Sequence, residues 1–265
     1  MSAPHRPRLN IDILRGAISG TEWRRVDVVD ETGSTNADLI ARAAAGEDIA
    51  GAVLLAEHQS AGRGRHGRAW SAPPRSQISM SVGVDTHGVP PAAWGWLPLL
   101  TGLAVAHTVG ETYGVDAGVK WPNDVLVGAG KLAGILAEVS APVIVVGLGL
   151  NVSLTADELP DPKAVSLSML GYEADRTVLA CSLLQELSSR LRDWRATGGA
   201  DAALAADYRS VSATIGTRVR AILPNDTEIV GVATDIDDAG RLLIDTDGTT
   251  VTVSAGDITH LRPAD

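Results

Sequence analysis

The feature that most narrows the fold is a change of hydrophobic period near Ile215. Beyond it, five short runs alternate apolar and polar residues, at 218–223, 228–235, 241–245, 249–253 and 257–261. The clusters Pro224-Asn225-Asp226, Asp237-Asp238-Ala239-Gly240 and Asp247-Gly248 separate them. Alternation broken by hairpin turns at this spacing predicts five short strands, and so many strands in so short a segment predict a small β-barrel over residues 215–265.

Residues 1–214 follow a different pattern. Strand-length runs at 26–29, 52–57, 77–85, 119–121, 125–127, 132–139 and 143–150 are interspersed with helical patterns at 37–45, 94–113, 175–194 and 200–208, and one short helix fits near 9–18. Thr35 and Asp38 have capping-box spacing at the start of one helix, and Gly114 follows the end of another. An α+β domain is expected, a mixed β-sheet with helices packed on one face. The longest apolar stretch, 94–109, is interrupted by Gly95, Pro98, Thr101, Gly102 and His107, so it is not expected to span a membrane. No apolar run follows the first arginines as a secretion signal would require. A cytoplasmic protein without a membrane partner is the expectation. Cys181 is the one cysteine, which excludes an intramolecular disulfide and a multi-cysteine zinc site.

The distribution of charge is more telling than its sum. Lys plus Arg is 22 against 32 Asp plus Glu, a net −10, and generic polyanion binders are usually basic. Residues 76–175 contain no arginine, and the chain has only three lysines, Lys120, Lys131 and Lys163. Yet Gly62-Arg63-Gly64-Arg65-His66-Gly67-Arg68 concentrates three arginines and three glycines in seven residues. Glycines let backbone N–H groups approach a ligand, and guanidinium forks fit phosphate or carboxylate. Bounded by a strand on each side, this segment is expected to be a ligand loop. Three further segments join it: Lys120-Trp121-Pro122-Asn123-Asp124, Gly130-Lys131-Leu132-Ala133-Gly134-Ile135-Leu136-Ala137-Glu138, and Gly147-Leu148-Gly149-Leu150-Asn151. Each alone also suits an ordinary turn, an edge charge or a crowded strand.

Taken in order after Ser34-Thr35-Asn36, these segments resemble the biotin protein ligases, over about residues 26–262. The resemblance implies an SH3-like form for the small C-terminal β-barrel, and an enzyme that joins biotin and ATP into biotinyl-5′-AMP, releases pyrophosphate, and passes biotin to a lysine of a biotin carboxyl carrier domain. It implies that Ser34, Thr35, Asn36 and Gln59 hold the polar end of biotin, with Gly134 and apolar strand residues beside its rings. Arg63 and Lys131 would face the biotin carboxylate. Arg65 and Arg68 would contact phosphates, supported by Gly62, Gly64 and Gly149 in the glycine-rich segments. Trp70 would close over the adenylate, and Asn123 and Asn151 would contact the nucleotide side. With no phenylalanine in the chain, Trp121 and Trp70 are the expected ring contacts. Lys120 would add positive charge, and Asp124 would orient either Mg²⁺ or the incoming lysine.

Some biotin ligases carry an N-terminal DNA-binding domain. Only some 25 residues precede the first strand here, so no DNA partner is expected, and the enzyme would act as a monomer or weak homodimer. A lipoate or octanoate ligase or transferase is the nearest alternative, and would need a narrow acyl tunnel in place of polar groups for a ureido ring. A nucleic-acid-binding module is the alternative of a different class. Against it, Arg218, Arg220, Arg241 and Arg262 are outnumbered by eight acidic residues between 217 and 262.

Overall fold

The computed structural model describes residues 5–223, 227–258 and 260–264; the turn expected at Pro224-Asn225-Asp226 and the first four residues lie outside them. In chain order the elements of the first part are α1 (Ile11–Ala17), β1 (Arg25–Val29), α2 (Thr35–Ala44), β2 (Ala52–Ala56), β3 (Gln77–Asp85), α3 (Trp96–Tyr113), β4 (Gly118–Lys120), β5 (Asp124–Val127), β6 (Gly130–Ser140), β7 (Val143–Asn151), α4 (Arg176–Ala196) and α5 (Ala202–Ser210). The strands form one seven-stranded sheet in the order β1-β2-β3-β7-β6-β5-β4. Only β1 and β2 run parallel.

The helices do not all lie on one face, as the sequence led us to expect. Helices α1, α3 and α4 pack together over the side of the sheet that carries Val53, Leu55, Ile78 and Val82. Helix α2 covers the opposite side, where Leu39 meets Leu54 and Val145 in a smaller cluster. This explains why β2 and β7 are apolar almost continuously: every residue of both is buried. Helix α3 is the one described helix long and apolar enough to cross a membrane, and 72% of its apolar window is buried within the fold.

Helix starts follow their capping chemistry. Asn10, Asp175 and Asp201 accept from first-turn N–H groups of α1, α4 and α5, and Gly114 ends α3 at φ 71°. At α2 the cap is Ser34, one residue before the one expected, and Asp38 accepts from the Thr32 hydroxyl instead. Thr35 is unavailable as a cap because its hydroxyl faces Gln59 and Ser81.

The second part holds β8 (Arg218–Ile222), β9 (Glu228–Ile236), β10 (Leu242–Thr246), β11 (Thr249–Val253) and β12 (His260–Pro263). They form an antiparallel sheet in the order β11-β10-β9-β8-β12. Among the described residues β11 and β12 do not pair with each other, so the five expected strands form a sheet with two ends, without ladder closure. This sheet docks through tryptophan side chains of the first part. The Trp96 and Trp121 indole N–H groups donate to the carbonyls of Asp237 and Gly240, each at 3.0 Å.

Candidate active site

On the α2 face of the large sheet, small residues line up in register. Ser79 of β3 pairs with Gly149 of β7, which pairs with Gly134 of β6. One step along, Ser81 pairs with Gly147, which pairs with Leu136. Residues two apart on a strand share a face, so these pairs cut a trough across three strands. A cavity of about 340 Å³ opens there, beside the N-terminal turn of α2.

Trp70 lies in the trough. A Cβ on Gly149 would run into its indole, and one on Gly134 would sit 3.1 Å from the ring. The indole N–H donates to Gln77 Oε1 at 2.7 Å, and Lys131 Nζ lies 5.3 Å from the ring centroid, in cation–π range. Gly149→Ala is therefore expected to cost about 1–3 kcal/mol by overpacking, read as a lower urea midpoint at unchanged slope. In a Trp70→Ala background the same change should cost almost nothing. Equal costs in the two backgrounds would show that the ring is elsewhere.

The glycine–arginine segment is a small hairpin. Trp70 N–H donates to Gly62 O at 2.8 Å and Gly64 N–H to Arg68 O at 2.7 Å, while Arg63 and Ala69 pair as an antiparallel bridge. His66 (φ 55°) and Gly67 (φ 71°) turn its tip. Arg63 points back to the sheet and pairs with Glu138 at 3.1 Å. Arg65 reaches the C-terminal sheet instead: it donates to the carbonyls of Ala255 (2.5 Å) and Ile258 (3.2 Å), and to Asn123 Oδ1 at 3.4 Å. Burial holds the Arg65 guanidinium below its ordinary value, opposed by Asp124 and reinforced by Arg68.

Lys131 begins β6 at the mouth of the cavity, where its Nζ lies 2.6 Å from Asp124 Oδ1. Asn123 Nδ2 donates to Ile135 O at 2.9 Å, which fixes the turn that carries Asp124. Asn151 Nδ2 donates to the carbonyls of Lys131 (3.3 Å) and Val165 (3.1 Å). At the other end, Gln59 Oε1 accepts from the Thr35 N–H at 2.9 Å. Ser34, Thr35, Asn36, Gln59, Arg63, Gly64, Arg65, Arg68, Trp70, Asn123, Asp124, Lys131, Gly134, Gly149 and Asn151 all line the one cavity.

Three expected site residues do not. Trp121 is fully buried with its N–H on Gly240, so it wedges the two sheets together and offers no ring to a ligand. Gly62 sits behind the lining, where a Cβ would meet the Trp70 carbonyl. Lys120 lies behind Asp124. Burial pushes its ammonium pKa down, with Asp124 opposing and Lys131, Lys163 and Arg262 adding to the effect. Conversely, Asp161 lines the cavity from the loop after β7, and Glu138 and Ser81 hold the lining residue Asn36 from outside it. The alternation of β3 and β6 carried their signal: Ser81 is out of phase with Ile78 and Met80, and Glu138 is in phase with Gly134.

The donor set fits a divalent cation only in a particular way. Among the described residues there is no group of three Asp, Glu, His or Cys side chains. Asp124 is paired with Lys131 and Asp161 Oδ1 accepts from the Lys163 N–H at 2.8 Å, so Asp161 Oδ2 and the Asn151 side-chain oxygen are the lining carboxylate and amide oxygens best placed to add to a cation's shell. Such a set suits Mg²⁺ held chiefly by nucleotide phosphates.

The sequence profile of the Biotin/lipoate A/B protein ligase family matches residues 34–153, and that of the biotin protein ligase C-terminal domain matches 214–261. The chain is 56% identical over 263 residues, 97% of each protein, to a biotin–[acetyl-CoA-carboxylase] ligase of Mycobacterium tuberculosis. It is 32% identical to the bifunctional ligase/repressor BirA of Escherichia coli, covering 97% of this chain and 79% of that one. Among solved structures, it resembles a biotin protein ligase from Aquifex aeolicus in complex with biotin and ATP, with a TM-score of 0.79 and 25% identity over 91% of this chain and 100% of that one. The likeness runs over 97% of that Mycobacterium tuberculosis relative, and the chain belongs to the biotin protein ligases of the biotin/lipoate A/B protein ligase family.

Proposed function

We propose that this chain activates biotin with ATP and transfers the biotinyl group to a lysine of a biotin carboxyl carrier domain, residues 1–214 forming the catalytic unit and 215–265 its C-terminal partner. The observation that carries this is one cavity with two chemically distinct ends. At one end Thr35 and Gln59, beside Asn36, offer hydroxyl and amide groups that match the donors and acceptors of a ureido ring. Arg68 and Lys131 line the same cavity, as does Arg63, which stands on Glu138, in a protein of net charge −10. A long aliphatic acyl chain would leave the first end unmatched, which favours biotin over lipoate or octanoate.

In the first step a biotin carboxylate oxygen attacks the α-phosphorus of ATP, and pyrophosphate leaves with the electron pair of the broken P–O bond. Two anions must meet, and preorganised cations at that point lower the barrier. Lys131 and Arg63 face the carboxylate, Arg68 faces the phosphates, and Arg65 anchors the hairpin to the C-terminal sheet. Asn151 and Asp161 would steady a phosphate-bound Mg²⁺, which adds charge neutralisation. In the second step the carrier lysine attacks the acyl carbon and AMP leaves. That amine must be neutral, and Asp124 is the lining carboxylate placed to orient it beside Lys131. The Trp70 ring shields the mixed anhydride from water.

The same reading places the protein in the cytoplasm, as a monomer or weak homodimer, with a carboxylase carrier domain as protein substrate and no DNA or membrane partner. The test is direct. Incubation with biotin, ATP and Mg²⁺ should yield biotinyl-5′-AMP by mass, with one pyrophosphate released per adenylate formed. Lipoyl-AMP from lipoate at a comparable rate, or no adenylate at all, would overturn the assignment.

A further inference from the structure

A chain of polar groups, buried at Thr35, Ser81 and Asn36 and partly exposed at Glu138 and Arg63, runs from the ring end to Arg63. The Thr35 Oγ1 lies 2.6 Å from Ser81 Oγ, which lies 2.5 Å from Asn36 Oδ1. Asn36 Nδ2 donates to Leu136 O at 3.1 Å and to Glu138 Oε2 at 2.8 Å, and Arg63 donates to that same carboxylate oxygen. Ser81 is fully buried, and Thr35 and Asn36 are nearly so.

The directions in this chain are forced. The Leu136 carbonyl and the Glu138 carboxylate can only accept, so both Asn36 amide hydrogens face them and its oxygen faces Ser81. Gln59 Oε1 is likewise fixed as an acceptor by the Thr35 N–H. Two hydroxyl hydrogens, from Thr35 and Ser81, then remain for three contacts: Ser81 to Asn36 at 2.5 Å, Thr35 to Ser81 at 2.6 Å, and Thr35 to Gln59 at 3.1 Å. Oxygens at the two shorter separations need a proton between them, so Ser81 donates to Asn36 and Thr35 donates to Ser81. The contact with Gln59 carries no hydrogen. Thr35 therefore turns oxygen lone pairs, with no hydrogen, toward the cavity. Beside it, Gln59 Nε2 makes no hydrogen bond among the described residues and remains a donor.

We infer that Glu138 is a positioning residue for ring recognition, acting through Asn36 and Ser81 to make Thr35 Oγ1 an obligatory hydrogen-bond acceptor. An acceptor next to a donor complements the N–H and C=O of a cyclic urea. The same carboxylate holds Arg63, so the ring end and the carboxylate end of the site share one anchor. This rests on the assignment of biotin as ligand.

Biotin binding measured by calorimetry without ATP tests the inference. Glu138→Met leaves one Asn36 N–H without its acceptor and the amide held by the Leu136 carbonyl alone, and should weaken biotin by about tenfold to a hundredfold, the effect of leaving a buried partner unsatisfied. Glu138→Gln can place its carbonyl oxygen where Oε2 lies and should restore binding to within about threefold. Ser81→Ala cuts the chain at a residue that does not touch Glu138 and should weaken biotin similarly, with the double variant no worse than either single one. That non-additivity distinguishes a shared chain from two separate structural defects. If Glu138→Met does not fold, Ser81→Ala and Glu138→Gln carry the test alone. Unchanged biotin affinity in Ser81→Ala, or additive losses in the double variant, would overturn the inference. Failure of the wild-type protein to bind biotin would instead overturn the ligand assignment.

Discussion

Replacing Lys131 by methionine is expected to slow biotinyl-adenylate formation by about a hundredfold to a thousandfold, the effect of removing one preorganised charge-stabilising donor from a transition state. Its Nζ is held between Asp124, 2.6 Å away, and the Trp70 ring. The ammonium thus stands in place before substrates arrive, and no reorganisation accompanies the reaction. Methionine keeps the length of the stem and its contact with Gly134, so the loss reports charge and not packing. Single-turnover formation of biotinyl-AMP, followed by quench and mass detection, isolates the step. The KM for ATP should move less than the rate if the charge acts chiefly at the transition state. Asp124→Asn is the companion variant: it leaves Lys131 charged and should slow transfer to the carrier lysine more than adenylation. Equal adenylation rates in Lys131→Met and the wild type would remove this lysine from the first step.

What the sequence could and could not convey follows from the kind of signal each residue carries. Period-two alternation and turn residues place β8 to β11, and the apolar runs place β2, β3, β6 and β7, because those patterns are local. The side of the sheet taken by α2 was not legible, since a strand buried on both faces looks the same whichever helix covers it. The ligand hairpin was legible as a site through its glycine and arginine content, yet its internal pairing depends on contacts such as Trp70 with Gly62. Trp121 misled because a tryptophan inside a polar motif suggests a ligand platform. Its burial against Gly240 comes from a segment more than a hundred residues away. For Ser81 and Glu138 the alternation of β3 and β6 conveys only which face of the sheet they take. Their importance lies in the register β3–β7–β6, which brings them to Asn36.

Arg176→Met is expected to have the largest effect on stability, about 3–5 kcal/mol. Arg176 and Glu57 are 4% and 5% exposed and meet at 2.6 Å. The arginine also donates to the carbonyls of Gln77 (3.2 Å) and Pro7 (2.7 Å), and Glu57 accepts from the Leu9 N–H at 2.7 Å. A cation at the first position of α4 is opposed by the helix dipole, so these partners, and not the helix, keep it there. Without the guanidinium the Glu57 carboxylate stays buried beside the Leu9 N–H, and the carbonyls of Pro7 and Gln77 lose their donor. For a domain that is stable by about 5–15 kcal/mol in total, this is a large fraction. Melting should fall by roughly 10 °C. Glu57→Gln with Arg176→Met should lose less than the sum of the single variants, because neither charge is then stranded. The site should feel the change too. Gln77, whose carbonyl Arg176 holds, accepts the Trp70 indole N–H. Biotin affinity should therefore weaken in Arg176→Met at temperatures well below its melting point. A loss under about 1 kcal/mol, the range of an exposed ion pair, would show that the pair is solvated and that Trp70 owes its place to the glycine trough alone.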